Sequence, residues 1–313
     1  MRILVIGAGA TGGYFGGRLL QHGRDVTFLV REARAAALAR DGLRIRSPKG
    51  DADIAAPPTL LARDLREPFD LILLSCKAYG LAQAIDDFAP AVGPHTAILP
   101  ILNGMRHLDV LEARFGADKV LGGQCVIAAT LDGDGAIRHL NATHGLTFGE
   151  RDGTDTARMR AIVATLSGAG FDARPSGAVL QEMWNKWVFL ATLAGITCLM
   201  RAPVGDIVAA PGGSEAVLAL LEACRATAER AGHAPDEAAL QRARDMLTEA
   251  GSTLTASMLR DLEHGYPIEA DHVIGDMLSR SGGRPGDGSL LAVVYAQLKA
   301  YEAGRARRLA AHS

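Results

Sequence analysis

Arg2-Ile3-Leu4-Val5-Ile6-Gly7-Ala8-Gly9-Ala10-Thr11-Gly12 opens the chain and decides its fold. A short β-rich run leads into Gly-x-Gly-x-x-Gly spacing, and Gly12–Gln21 continues with helical periodicity that stops at Gly23. In a strand–turn–helix context each glycine has a steric task. Gly7 permits the tight turn, Gly9 lets the backbone approach a pyrophosphate, and Gly12 allows close helix–strand contact. The N-terminus of the helix adds unpaired N–H groups and the positive end of its dipole. The expected result is a dinucleotide cradle made of Gly7, Ala8, Gly9, Ala10, Thr11 and Gly12. A tight turn with no ligand is the weaker reading.

The pattern repeats outward from this turn. Val26–Val30 reads as a second strand, followed by a helix from Glu32 to about Arg40. NAD-selective sites place an acidic residue at the end of that second strand, where it bonds the ribose hydroxyls. Here Val30 is followed by Arg31, whose guanidinium can pair with a 2′-phosphate, so NADP(H) is the expected cofactor. Glu32 stands beside it and could take the acidic role. Leu43–Ala56 reads as two short strands joined by a turn at Ser47-Pro48-Lys49-Gly50. Leu71–Ser75, Ala97–Leu102 and Val120–Ala129 read as further strands. Strands alternating with helices imply crossovers, and hence a Rossmann-type, doubly wound parallel sheet over residues 1–176.

After about Asp172 the pattern changes. Residues 177–313 read as an all-helical domain, with helices at Ala178–Leu199, Ser214–Ala231, within Asp236–Arg260, and at Leu290–Arg308. Prolines at 203, 211, 235, 267 and 285 punctuate them. Trp187–Met200 is the most apolar stretch, and at 14 residues it falls short of the roughly 20 that span a bilayer, so it is expected as a core helix.

Composition narrows the class. The chain has 313 residues, 48% hydrophobic and 22% charged, with a formal net charge of −2. Two globular domains fit that length, and the charge balance makes no case for nucleic acid or an anionic membrane. The first strand begins at Arg2, so no signal peptide is expected. Cys76, Cys125, Cys198 and Cys224 are scattered, which suits core packing in a reducing, cytoplasmic setting. His139 and His144 are near neighbours without metal-ligand spacing.

Three polar residues stand out as candidates for chemistry. Lys77 follows Leu71–Cys76, and Asn103 follows Ile101-Leu102, so both sit at the carboxyl ends of strands where open parallel sheets bind ligands. Lys186 lies in Met183-Trp184-Asn185-Lys186-Trp187-Val188, on the way into the most apolar helix. It reads either as a snorkelling edge lysine or as a functional group.

Taken together these residues resemble the ketopantoate reductases (2-dehydropantoate 2-reductases) over nearly the whole chain. The landmarks are the glycine motif, Lys77-Ala78, Asn103-Gly104-Met105, Lys186 and Pro203-x-Gly205. Ser257-Met258-Leu259-x-Asp261 and Ile268-Glu269-x-Asp271 complete the set. The resemblance implies an NADP-dependent reductase that converts a 2-keto acid to a 2-hydroxy acid, as in pantothenate biosynthesis. It implies that Lys186 is the general acid and Glu269 the supporting carboxylate. Asn103 and Ser257 would bind substrate, while Arg31, Lys77 and Asn103 would border the cofactor. Its second domain is helical, and an apolar helical domain of that kind often supports a homodimer.

One departure concerns the substrate. The family carries asparagines one and two turns after the lysine, where this chain has Leu190 and Ala194. Spacings of four and eight put both on the helical face of Lys186. The pocket wall is then apolar where a hydroxylated substrate would want polar partners. Three readings follow: a ketopantoate reductase, a paralogous D-2-hydroxy acid dehydrogenase for a more apolar 2-keto acid, and a non-catalytic NADP(H) sensor. The presence of Lys186, Asn103 and Glu269 ranks the sensor last.

Overall fold

The computed structural model describes residues 1–311. It divides into two compact units, Met1–Leu102 with His107–Val179, and Asn103–Arg106 with Leu180 onward. In chain order the first holds β1 (Arg2–Ile6), α1 (Ala10–Gln21), β2 (Asp25–Leu29), α2 (Glu32–Asp41), β3 (Leu43–Arg46), β4 (Ala52–Ile54) and β5 (Thr59–Leu60). It continues with β6 (Leu71–Leu74), α3 (Leu81–Phe88), β7 (Ala97–Pro100), α4 (Arg106–Phe115), β8 (Gly122–Leu131), β9 (Ile137–Gly149), α5 (Ala157–Leu166) and β10 (Asp172–Pro175).

Five strands form a parallel sheet in the order β5-β2-β1-β6-β7. The inner strands are apolar without alternation because both faces are covered; every residue of β6 and β7 is buried. Crossover helices supply that cover, as the alternating pattern predicted.

The segment Val120–Ala129 departs from the expected theme. Its strand, β8, pairs antiparallel with β9 in a second, mixed sheet of order β10-β9-β3-β4, while Val120, just before it, bridges to Ile98 of the parallel sheet. The physical reason lies in α1, which packs between the two sheets. A Cβ on Gly16 would meet the Phe28 ring at 2.5 Å, and a Cβ on Gly17 would meet Ile45 and Leu43 at 2.8 Å. A helix that is apolar and glycine-rich on both sides buries two faces, so it needs a second sheet. Tyr14 completes the seam with a buried 2.8 Å hydrogen bond to His144 Nδ1. The turn expected at Ser47–Gly50 joins β3 to β4 as an antiparallel pair.

The second unit is helical. It holds α6 (Val179–Met200), α7 (Val204–Ala209), α8 (Gly213–Arg230), α9 (Glu237–Leu247) and α10 (Ser257–Glu263). A π-helical turn at Asp271–Gly275 leads into α11 (Asp276–Arg280), and α12 (Leu290–Ala310) closes the chain. The stretch expected as one helix within Asp236–Arg260 is two, because Gly251 with φ +71 breaks the helical path between α9 and α10.

Helix α6 runs for 22 residues, within one residue at each end of the expected Ala178–Leu199. As a whole it is long and apolar enough by length and composition to cross a bilayer, although its most apolar stretch, Trp187–Met200, is not. In its most apolar window 67% is buried within the fold, as a core helix requires. Trp187 is 1% exposed and donates from Nε1 to the Val273 carbonyl at 3.1 Å. The buried hydroxyls of Thr192 and Thr197 are satisfied by the carbonyls one turn back, at 2.8 and 2.6 Å. The helix ends at Arg201, whose left-handed φ of 54 and following Pro203 stop it. Burial pushes the Cys198 and Cys224 thiols up to about 12, which makes both inert packing groups.

Candidate functional site

The glycine turn has the shape that a pyrophosphate needs. Gly7 takes φ +87 and its N–H donates to the Leu29 carbonyl at 2.9 Å, which locks the loop to β2. Cβ atoms on Gly7 or Gly9 would meet nothing within 4 Å, so the backbone there fronts open space. Gly12 is the opposite. A Cβ would lie 2.1 Å from Ser75 Oγ and 2.6 Å from the Gly7 carbonyl oxygen. Ser75 is itself held by a 2.9 Å bond from its hydroxyl to the Ile6 carbonyl. An open face at Gly9 and a closed one at Gly12 are the two features that a dinucleotide cradle requires, and α1 starts at Ala10 with its N-terminal N–H groups toward the turn. These residues fit the cofactor.

Arg34 was not legible as part of this cradle. Its Nε donates to the Ala8 carbonyl at 3.0 Å and so braces the loop from α2, while burial lowers its pKa. No motif marks it; only the packing of α2 under the loop brings it there.

Beside the cradle, a cavity of about 430 Å³ opens at the ends of β2 and β5, lined by Val30, Arg31, Glu32, Arg63, Gln83 and Asp87 among others. Arg31 is exposed at the start of α2. Glu32 forms an ion pair with Arg63, from the short turn after β5. Lys77 follows β6 as an exposed residue, and its carbonyl accepts from Gly80 N–H at 2.9 Å in the turn that starts α3.

In the helical unit the predicted residues converge in part. Lys186 Nζ donates to Asn103 Oδ1 at 3.2 Å. This contact joins α6 to the turn before α4 across 83 positions of sequence. Asn103 is held there because Gly104, at φ +77, packs against the π-helical turn. A Cβ on Gly104 would stand 2.9 Å from the His272 carbonyl oxygen. Glu269 is 8% exposed at the entrance to that turn, and its carbonyl accepts from Val273 N–H at 3.0 Å. Ser257 is half-buried as the first residue of α10. Leu190 is half-buried and Ala194 is 2% exposed, one and two turns beyond Lys186.

His272 is a further residue that sequence reasoning missed. It is 6% exposed and lies three positions after Glu269, with a hydrogen bond from its ring to the Asn103 backbone. Burial pushes its imidazole below the ordinary range, and Glu269 and Asp276 offset part of that. The clue was its i+3 spacing from Glu269. The π-helical turn itself is a geometry concentrated at functional sites.

What this set can do is hold and protonate an oxygen. A lysine ammonium oriented by an amide oxygen, on an apolar helix, can donate to a carbonyl and stabilise negative charge developing there.

The models of the family described as ketopantoate reductase PanE/ApbA match residues 3–153, and those of its C-terminal domain match residues 178–302. The chain belongs to the ketopantoate reductase family. As a member it is an NAD(P)H-dependent oxidoreductase acting on CH–OH groups. Among its relatives, the uncharacterized oxidoreductase YkpB of Bacillus subtilis is 38% identical over 97% of this chain and 99% of its own. A 2-dehydropantoate 2-reductase of Mesorhizobium japonicum is 27% identical over 88% of this chain and 89% of its own. A crystal structure of 2-dehydropantoate 2-reductase from Geobacter metallireducens matches with a TM-score of 0.84 and 26% identity, over 96% of this chain and 99% of that one. A D-mandelate dehydrogenase, solved with NADH and anilino(oxo)acetate, shares the fold with a TM-score of 0.84 at 20% identity, over 97% and 99% of the two chains.

Proposed function

We propose that this family member reduces 2-dehydropantoate (ketopantoate), or a closely related 2-keto acid, to the 2-hydroxy acid with NADPH, in the manner of a pantothenate-pathway enzyme of the cytoplasm. The observation that carries this reading is the Lys186–Asn103 hydrogen bond at 3.2 Å, set on an apolar helix, with the Asn103 backbone bonded in turn by His272, on which buried Glu269 acts electrostatically. The glycine cradle holds the pyrophosphate, Arg31 and Lys77 border the rest of the cofactor, and residues 1–176 form the nucleotide domain. When bound, the nicotinamide supplies a hydride for the ketone carbon.

The chain's own residues manage the oxygen. Lys186 donates a proton to the ketone oxygen as that carbon is reduced, and its positive charge stabilises the alkoxide while it forms. Asn103 keeps the ammonium pointed and bonds the substrate. Ser257 binds the substrate, and Glu269 supports the lysine's charge.

A second reading is favoured by one specific observation. Leu190 and Ala194 continue the Lys186 face as hydrocarbon. A substrate hydroxyl against that wall forgoes hydrogen bonds worth about 1 kcal/mol each. A D-2-hydroxy acid dehydrogenase acting on an apolar 2-keto acid fits this wall better than ketopantoate does.

NADPH oxidation at 340 nm, with ketopantoate beside a series of branched and aromatic 2-keto acids, separates the two. Highest kcat/KM on ketopantoate supports the first reading. Turnover confined to the apolar acids supports the second, and silence on all of them rejects both.

A further inference from the structure

The cavity at the ends of β2 and β5 has a charge arrangement that the glycine motif does not explain. Arg31 and Glu32 come from the start of α2, Arg63 from the turn after β5, and Asp87 from α3. Two cations face two carboxylates. Arg63 is brought in by the sheet, since β5 pairs with β2 and Val30 N–H donates to the Leu60 carbonyl at 3.0 Å. Its guanidinium then meets the Glu32 carboxylate.

Carboxyl ends of adjacent strands beside the first βα turn are where the adenosine ribose of a dinucleotide lies. A ribose with a free 2′-hydroxyl and one with a 2′-phosphate ask for opposite charges at that point. Glu32 can accept from hydroxyls, while arginines grip a phosphate through paired N–H donors. Arg63 can serve either state. With Glu32 it neutralises the acidic residue, and with a phosphate it adds a second guanidinium to Arg31. Both side chains of the ion pair are largely exposed, at 66% and 72%, so water screens their attraction and exchange costs little.

Resting on the reading of this cavity as the cofactor's ribose site, we propose that Arg63 is a second 2′-phosphate ligand and that Glu32 competes with the phosphate for it. The Glu32–Arg63 pair thereby sets the NADP(H) to NAD(H) preference. Arg31 alone would leave a phosphate of about two negative charges facing Glu32 and Asp87 with one cation. Arg63 changes that balance, and Glu32 limits how far the preference goes. The chain is therefore expected to accept both dinucleotides, with NADP(H) favoured only modestly.

Calorimetric titration of the full chain with NADP+ and with NAD+ tests this without turnover. Arg63→Ala should raise the NADP+ dissociation constant about tenfold, as loss of a charge-assisted hydrogen bond does, and leave that for NAD+ within about twofold. Glu32→Gln should move the other way, with NADP+ tighter and NAD+ weaker. Both positions are surface-exposed, and equal thermal midpoints for variant and wild type will show that folding is intact. An NADP+ to NAD+ ratio unchanged in both variants, while the wild type binds both dinucleotides, overturns the competition and leaves the cofactor site standing. Failure of the wild type to bind either dinucleotide overturns the cofactor reading itself.

Discussion

The glycine cradle occupies consecutive residues at one strand-to-helix turn, whereas the Lys186 cluster gathers Asn103, Lys186, Glu269 and His272 from separate stretches of chain. The cradle works through what its residues lack. Gly9 leaves space open for a ligand, and Gly12 leaves none, so that helix and strand can touch. The lysine cluster works through what its residues carry, a charge and an amide oriented by a 3.2 Å bond. The proposed function thus gives binding and chemistry to different parts of the molecule, and each should fail separately.

The largest expected effect comes from Lys186→Ala. Removing the proposed proton donor should lower kcat by about 10²- to 10⁴-fold, the range for general acids. NADPH binding, followed by quenching of protein fluorescence, should be unchanged. Parallel loss of binding would place Lys186 in the cofactor site and erase the separation. Gly12→Ala attacks the other side of the comparison. Its methyl group would collide with Ser75 and with the Gly7 backbone, an overpacking cost of about 1–3 kcal/mol. If the loop relieves the strain by moving, NADPH affinity falls by about tenfold or more. A dissociation constant equal to wild type would show that the close contact is dispensable.

Leu190→Asn sharpens the chemistry side. Restoring one polar partner next to Lys186 should shift the kcat/KM ratio toward ketopantoate by up to about tenfold. No shift across the substrate series would mean that the side chain does not face the substrate. The smallest effect concerns acid stability. Burial lowers the pKa of His272 and of His144, with Asp172 opposing the shift at His144. A histidine whose folded pKa lies below its unfolded value of about 6.5 contributes stability above that pH, and the contribution is lost as pH falls through the folded pKa. The thermal midpoint should therefore drop between pH 7 and pH 5, and His272→Asn should flatten part of that drop. A midpoint independent of pH in this window would contradict the buried, neutral state of both rings.

The same contrast explains what could be read from sequence. A motif of consecutive residues is visible in a string, so the glycine turn, β1, α1 and the parallel pairing of β2, β6 and β7 into one sheet were legible. The mixed sheet was not, because β8 has the same apolar texture as a strand of the parallel sheet. Its signal was the run of glycines within α1, which permits contact on two faces of one helix. Lys186 was visible as a charge in an apolar stretch, and the family resemblance supplied Glu269 and Ser257. His272 and Arg63 were not visible, since only the π-helical turn and the β2–β5 pairing bring them to Asn103 and Glu32.

The most direct test of the reduction follows an isotope through it. The chain is incubated with NADPH carrying deuterium at both C4 positions and with the best 2-keto acid, and the hydroxy acid is examined by mass spectrometry and NMR. Direct reduction of the ketone carbon predicts one deuterium per product molecule, bound at C2. A hydroxy acid without deuterium, or oxidised cofactor beside unchanged keto acid, would contradict the assignment of this chain as a 2-keto acid reductase.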